Sequence, residues 1–94
     1  MMLYHYTHSS NVPSIQRDGL RVDKARSVPR VWLCNDPKRA WALRHVADSH
    51  GWALGDMACV AVDVPRAWLS RWRWGVYLCN RDIAPDRVRR VRSA

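Results

Sequence analysis

The sequence contains no glutamate and no phenylalanine, and only four of its 94 residues are glycine. Without glutamate, the eight aspartates are the only acidic side chains. Without phenylalanine, the burial of large rings depends on six tryptophans and three tyrosines, each of which removes about 150 Å² or more from water. A chain this short buries about 60 to 65% of its unfolded surface. We therefore expect one domain, residues 1–94, with a single compact core.

Cysteine is scarce, and its spacing excludes two common uses. Cys34, Cys59 and Cys79 are odd in number, lie within apolar runs and form no C-x-x-C pair. Neither a disulfide framework nor a zinc site is indicated, so we interpret all three as reduced core residues.

Long apolar runs are also missing, since no stretch approaches about eighteen residues. We expect no conventional signal peptide, no membrane partner and, by default, a cytoplasmic location.

Acidic residues are half as many as basic ones, with 8 against 16. The net charge is +8, and of the 16 basic residues all but two are arginine. The planar guanidinium matches phosphate and carboxylate groups better than the point charge of lysine does. The composition therefore predicts a polyanionic partner, which could be a nucleic acid, a dinucleotide or an acidic protein. The alternative is that a GC-rich genome encodes arginine wherever a solvated cation is needed.

The turn residues and apolar runs predict a small α+β domain. A short strand at 3–6 precedes a helix at 11–18, which Ser10 or Asn11 can cap. A second amphipathic helix begins near residue 37 and runs to about residue 49. Two helices should thus cover one curved sheet. The remaining chain predicts a loop at 22–29, strands at 30–34, 57–64, 75–79 and 88–91, and a brief helical turn at 65–70.

The opening of the chain resembles the NAD-binding lobe of ADP-ribosyltransferase-fold proteins. Residues 3–7 read L-Y-H-Y-T, and residues 14–20 read S-I-Q-R-D-G-L. The chain is most similar to the RNA 2'-phosphotransferase family, in which L-Y-H-G-T precedes a helix that ends in G-L. The resemblance implies a small single domain with a curved or split β-sheet, two short helices and NAD as the cofactor. Counterparts of later family segments follow in the same order, at residues 31–34, 40, 62–63, 75–79 and 83–85.

Several positions depart from the family pattern. Tyr6 stands where the family has glycine, Trp32 where it has a histidine and Cys34 where it has serine. Many ADP-ribosyltransferases carry a catalytic glutamate at the position of Val76, and Asp82 is the nearest acidic substitute. The family's separate N-terminal RNA-binding lobe has no counterpart in this sequence. Because the phosphotransferase family also lacks the glutamate, its absence weakens a protein-modifying activity more than it weakens the resemblance in fold.

The resemblance also implies where a dinucleotide would bind. His5 would hydrogen-bond a ribose hydroxyl, and Thr7 with the backbone of Tyr6 would pair with the nicotinamide amide. Arginines of the basic loop would meet the pyrophosphate with bidentate forks, and aromatic walls would flank a base or the nicotinamide. The candidate catalytic residues are His5, Arg30 and Asp82, and the candidate cofactor-binding residues are His5, Tyr6, Thr7, Arg26, Arg30, Trp32, Cys34 and Tyr77.

Each candidate also has an ordinary structural role. A lone histidine such as His5 is usually bonded to the backbone, and Thr7 can serve as a cap or in a turn. Trp32 and Tyr77 can simply pack in the core. The loop arginines can be solvated charges, and Asp82 follows a strand, where aspartate is common in turns. The sequence leaves both interpretations open.

A second feature is the segment 68–74, in which tryptophan and arginine interleave. Proteins that bind single strands combine rings and cations in this way, and each stacked base contributes about 1 to 3 kcal/mol. The alternation at 71–74 also fits a half-buried strand with one polar face. If the segment is a binding surface, Arg71, Trp72 and Arg73 would contact a nucleic acid or an acidic protein.

Two classes of function follow from these patterns. The first is a minimal NAD-dependent ADP-ribosyltransferase whose acceptor could be a nucleic acid or a phosphate group. The second is a non-catalytic basic module with a degenerate form of the same fold, such as a phage-type inhibitor that binds a protein or a nucleic acid. A nucleic-acid binder with only a coincidental family match is a third, weaker alternative.

Overall fold

The computed structural model describes residues 1–24 and 30–94, and these form an α+β domain with one antiparallel sheet and two α-helices. This confirms the predicted fold class. No helix within the described ranges is long and apolar enough to cross a membrane. The strands are β1 (Met2–His8), β2 (Val31–Cys34), β3 (Met57–Asp63), β4 (Leu69–Arg73), β5 (Val76–Cys79) and β6 (Val88–Ser93), and the helices are α1 (Val12–Asp18) and α2 (Arg39–His50).

The sheet consists of two halves, and a single residue pair joins their backbones. Its strand order is β4-β5-β2-β1-β3-β6, and every neighbouring pair is antiparallel. β1 pairs with β3 at seven positions and β2 with β5 at four, but β1 and β2 pair only at Tyr4 and Cys34. Beyond that pair the two central strands have no further pairing, so a cleft can form between them.

Buried residues form two clusters, one on each face of the sheet, where we had expected a single core. The period-two alternation of β3 shows why, because Val60 and Val62 belong to one cluster while Met57 and Cys59 belong to the other. The first cluster includes Ile15 of α1. The second contains three buried residues of α2: Ala42, Val46 and Ala47. A strand covered on both faces is apolar throughout, as the composition of β3 shows.

Contacts at the two ends of α1 hold the segments before and after the helix in place. Asn11 precedes the helix but makes no capping hydrogen bond with its side chain, which corrects one of the two capping assignments. Its amide nitrogen instead donates to the Thr7 hydroxyl at 2.9 Å. At the other end Gly19 has a φ of 77° and ends the helix. Leu20 then pairs with Ile83 in an isolated bridge, which holds the segment after α1 in place.

The segment between β3 and β5 differs most from expectation. The predicted helical turn is limited to Arg66–Trp68, and Leu69–Arg73 is a strand. This strand is exposed at four of its five positions rather than half-buried, because it is an outer strand of the sheet. Of the predicted loop at 22–29, residues 22–24 form a 3-10 turn. The other five positions lie outside the described residues.

Candidate functional site

A cavity of about 620 Å³ lies where β1 and β2 separate. This volume falls within the range of small-molecule sites in proteins. His5 to Thr7 of β1 and Arg30 to Trp32 around the start of β2 line its two sides. α1 and the segment after it contribute a third wall, and the end of α2 with Trp52 contributes a fourth. We call this cavity the cleft.

His5 bridges the two sides of the cleft. Its Nδ1 atom lies 2.9 Å from the carbonyl oxygen of Trp32. A carbonyl only accepts hydrogen bonds, so Nδ1 carries the proton and donates it, which leaves Nε2 as an acceptor. Burial lowers the pKa of His5 and outweighs the hydrogen bond to Trp32, which raises it; a smaller lowering contribution comes from His50. The imidazole is therefore neutral near pH 7 and presents a single lone pair for a hydroxyl donor.

Thr7 lies deeper in the same wall and is almost fully buried. Its hydroxyl oxygen accepts the hydrogen bond from the Asn11 amide described above, so the hydroxyl proton is left to donate. His5 and Thr7 are two residues apart on β1 and therefore project from the same face of the strand. Together they offer one acceptor and one donor to a ligand in the cleft.

One group of residues that line the cleft is cationic. Arg17, Arg21, Lys24 and Arg30 belong to it, and Asp18 is the only carboxylate among the described lining residues of the cleft. Arg17 is paired with Asp18 at 3.1 Å, and Arg21 with Asp23 at 3.0 Å. Within the described ranges, Lys24 and Arg30 form no ion pair. Their charge is thus available to an anionic ligand, and a guanidinium can hold a phosphate through two parallel hydrogen bonds. Of the four cations, Arg17 and Arg21 are thus paired with Asp18 and Asp23, and Lys24 and Arg30 are the two that remain for a ligand.

Another group of lining residues carries rings. The Trp52 indole stacks on the His50 imidazole, with ring centroids 4.1 Å apart, and His45 stacks on Trp32 at 5.8 Å. His45, His50 and Trp52 were not among the residues we predicted for the site. The available signal was the concentration of ring side chains in residues 45–52, but only the packing of α2 shows that they face β1.

Tyr6 contributes to the cleft wall without filling the space. Its ring belongs to the cluster beneath α2 and is only 4% exposed. The Arg39 Nε atom donates a hydrogen bond to its hydroxyl oxygen at 3.2 Å. Burial raises the pKa of Tyr6 to about 12. The phenol is therefore a fixed structural group, and it does not block the gap between the strands.

Three predicted residues are not brought to the cleft. Cys34 has no exposed surface, and burial raises the pKa of its thiol to about 12. Tyr77 packs against the cluster on the α1 face. The carboxylate of Asp82 accepts a hydrogen bond from the backbone nitrogen of Val22 at 2.8 Å, which fixes the turn before Ile83. Arg26 lies outside the described residues.

No family model matches this sequence, and no curated protein matches it either. The structure by itself defines a small α+β domain whose open antiparallel sheet is divided by a cleft. Of the predicted site residues, it brings together those in one connected cavity: His5, Tyr6, Thr7, Arg30 and Trp32.

Proposed function

We propose that the cleft binds NAD and that the protein transfers the ADP-ribosyl group from it to an acceptor. The observation that carries this proposal is the position of His5, whose neutral imidazole spans the gap between β1 and β2. Cations and stacked rings line the same cavity beside it. Each half of a dinucleotide carries the matching groups, since a ribosyl unit joins a flat ring to the pyrophosphate.

The side chains fit such a ligand group by group. Lys24 and Arg30 are placed to hold the pyrophosphate. The Nε2 atom of His5 can accept a hydrogen bond from a ribose hydroxyl, because the proton is fixed on Nδ1. The rings of Trp32 and Trp52 offer flat apolar surface to nicotinamide or adenine. A cavity of about 620 Å³ is large enough for most of such a ligand.

The residues of the cleft would act mainly by positioning. When bound, NAD supplies a ribosyl carbon whose bond to nicotinamide breaks, with the electron pair leaving on the nicotinamide nitrogen, while an acceptor oxygen forms the new bond at that carbon. His5 would fix the ribose and the cations would fix the pyrophosphate, which turns a bimolecular encounter into a local one. Asp18 is held by Arg17, so no free carboxylate among the described lining residues serves as a base. This favours an acceptor that needs no deprotonation, such as a phosphate group.

Calorimetric titration with NAD, followed by mass analysis for free nicotinamide, tests the proposal. We expect saturable binding, and release of nicotinamide when a phosphorylated acceptor is added. His5→Ala should weaken both, whereas His8→Ala, a histidine of the same strand outside the cleft lining, should retain them. Lys24→Ala/Arg30→Ala should weaken binding more than Arg90→Ala/Arg92→Ala on β6 does. Failure to bind NAD would overturn the whole proposal, and binding without release would overturn the transfer step.

A non-catalytic binding module is the second candidate function. The observation in its favour is that Trp72 and Trp74 are 49% and 60% exposed and lie outside the cleft lining. Large exposed rings on a small domain are typical of interaction surfaces. If NAD does not bind while a macromolecule binds equally well to the His5→Ala variant, this second function replaces the first.

A further inference from the structure

The outer strand β4 and the turn after it carry the most exposed tryptophans of the described structure. Trp72 belongs to β4 and Trp74 directly follows it, and both indoles are about half exposed or more. β4 pairs with β5 on one side only, and its register shifts between Arg71 and Arg73. Such a bulge takes the intervening residue, Trp72, out of the regular pairing, and bulges often redirect a side chain.

Cations lie over these rings and over the neighbouring Trp41. The Arg73 guanidinium lies 4.3 Å from the centroid of Trp72 and 5.4 Å from that of Trp41. The Lys38 ammonium lies 5.0 Å from the centroid of Trp41 and 5.9 Å from that of Trp74. Rings and cations thus alternate in one continuous chain of contacts. We call this set the ring-cation ladder, and its members in order are Trp72, Arg73, Trp41, Lys38 and Trp74.

The ladder is continuous with the wall of the cleft. Trp41 stacks on His45 at a centroid distance of 4.8 Å and an interplanar angle of 13°. His45 in turn stacks on Trp32, which lines the cleft. A path of contacts therefore runs from Trp72 through Arg73, Trp41 and His45 to the cavity. A chain bound along the ladder would pass closest to the cleft wall at Trp41, the central member.

We propose that the ring-cation ladder binds single-stranded nucleic acid. Bases would stack on the exposed faces of Trp72 and Trp74, and the phosphates would meet Arg73, Lys38 and the exposed Arg71. The net charge of +8 adds a long-range attraction for the phosphate backbone.

Two features favour this ligand over other polyanions. In a duplex the base faces are covered by neighbouring base pairs, so Trp72 and Trp74 would remain exposed. An acidic peptide would pair with the cations but supplies no flat surface for the rings. The proposal rests on the ladder alone and does not depend on a dinucleotide in the cleft.

Fluorescence anisotropy with a labelled oligothymidylate of about a dozen nucleotides tests the proposal. We expect binding that weakens with salt, and a slope of log K against log salt of about −0.7 for each phosphate contacted. Trp72→Ala and Trp74→Ala should each weaken binding about fivefold or more, while Trp72→Phe and Trp74→Phe should keep most of the affinity. Retention of binding by the Phe variants separates ring stacking from a loss of folding.

A matched pair of arginine variants locates the surface. Arg71→Ala/Arg73→Ala should lower the salt slope by about 1.4 in magnitude, whereas Arg90→Ala/Arg92→Ala removes the same charge from the opposite outer strand and should change binding much less. A duplex bound as tightly as the single strand would overturn the proposal, as would equal losses in the two arginine pairs. Tighter, Trp72-dependent binding of an aspartate-rich peptide would overturn it in favour of a protein partner. The His5→Ala variant should bind the oligonucleotide normally, so the outcome is independent of the cleft.

Discussion

Gly19 lies directly against the carbonyl oxygen of Ile83, with no space for a Cβ atom between them. The same two segments are joined by hydrogen bonds between Leu20 and Ile83 in both directions, at 2.9 and 2.8 Å. This contact orients the segment that carries Arg21 and Lys24 into the cleft. The geometry of the cationic wall therefore depends on one glycine.

Gly19→Ala should destabilise the fold severely. The residue has φ 77° and ψ −165°, a backbone region that is essentially restricted to glycine. An added Cβ would also overlap the Ile83 oxygen. We expect the free energy of unfolding, measured by urea denaturation, to fall by about 3 kcal/mol. Gly51→Ala is the matched control, because Gly51 has open space around it and an ordinary left-handed conformation; it should lose only about 1 kcal/mol. Equal losses would contradict the close contact at Gly19.

Stability should depend on pH through His5. Burial places the pKa of the folded-state imidazole below its ordinary value of 6.5. The unfolded chain therefore binds more protons than the folded one below that pH, so unfolding becomes easier as acid is added. The stabilising contribution is fully present above pH 6.5 and is lost as the pH falls toward the folded-state pKa. Urea denaturation between about pH 5 and pH 8 should show this slope, and His5→Gln should flatten it.

A control for the pH dependence is available on the same strand. His8→Gln removes a histidine but leaves His5 and its bond to Trp32 in place. This variant should keep the acid-dependent loss of stability. The interpretation fails if His5→Gln retains the full slope while His8→Gln removes it.

Tyr6→Phe should separate stability from ligand binding. The change removes the hydroxyl that accepts from Arg39 and leaves the ring in its buried position. We expect a loss of about 1 kcal/mol in unfolding free energy, with NAD titration unchanged because the hydroxyl bonds Arg39 of α2. Tyr6→Ala should lose about 3 to 5 kcal/mol through the cavity it leaves. A marked loss of NAD affinity in Tyr6→Phe would show that the phenol itself contacts the ligand.

Cys34 should be inert toward thiol reagents in the folded protein. The side chain has no exposed surface, and its raised pKa leaves almost no thiolate near neutral pH. Cys59 and Cys79 are also free and buried. We expect the rate of reaction with a chromogenic disulfide to follow global unfolding in urea. Fast labelling of Cys34 in the native state, identified by mass spectrometry of peptides, would indicate an opening of the sheet at its central junction.

Much of the fold was predictable because its signals are local. The helix expected from near residue 37 to about residue 49 is present as the 3-10 turn Asp36–Lys38 followed by α2, and the Asn35 side chain accepts a hydrogen bond from the Lys38 nitrogen at the start of that turn. The strand at 57–63 was evident from its apolar run. The exposure of β4 was not predictable in this way. Alternation shows which side chains share a face of a strand, but it does not show whether the strand is central or at the edge of the sheet.

The site was predictable where it is carried by β1 and by the start of β2. His5 and Thr7 share a face of β1 by simple alternation, and both line the cleft. Tyr77 and Asp82 were assigned to the site from their positions in the family pattern. Their actual contacts depend on which buried cluster packs on β5 and on the hydrogen bonds of the turn that follows β5. His50 and Trp52 enter through the packing of α2 across the sheet, which no local pattern in the sequence encodes.

The single pairing of Tyr4 with Cys34 has a mechanical consequence. Each three-stranded half keeps its own backbone hydrogen bonds, and between the halves the strands pair at one position. Both buried clusters also contain side chains from the two halves, such as Leu3 with Leu33 and Tyr6 with Cys34. The width of the gap is therefore set by side-chain packing and by the His5 bond to Trp32, and the backbone hydrogen bonds within each half do not depend on it.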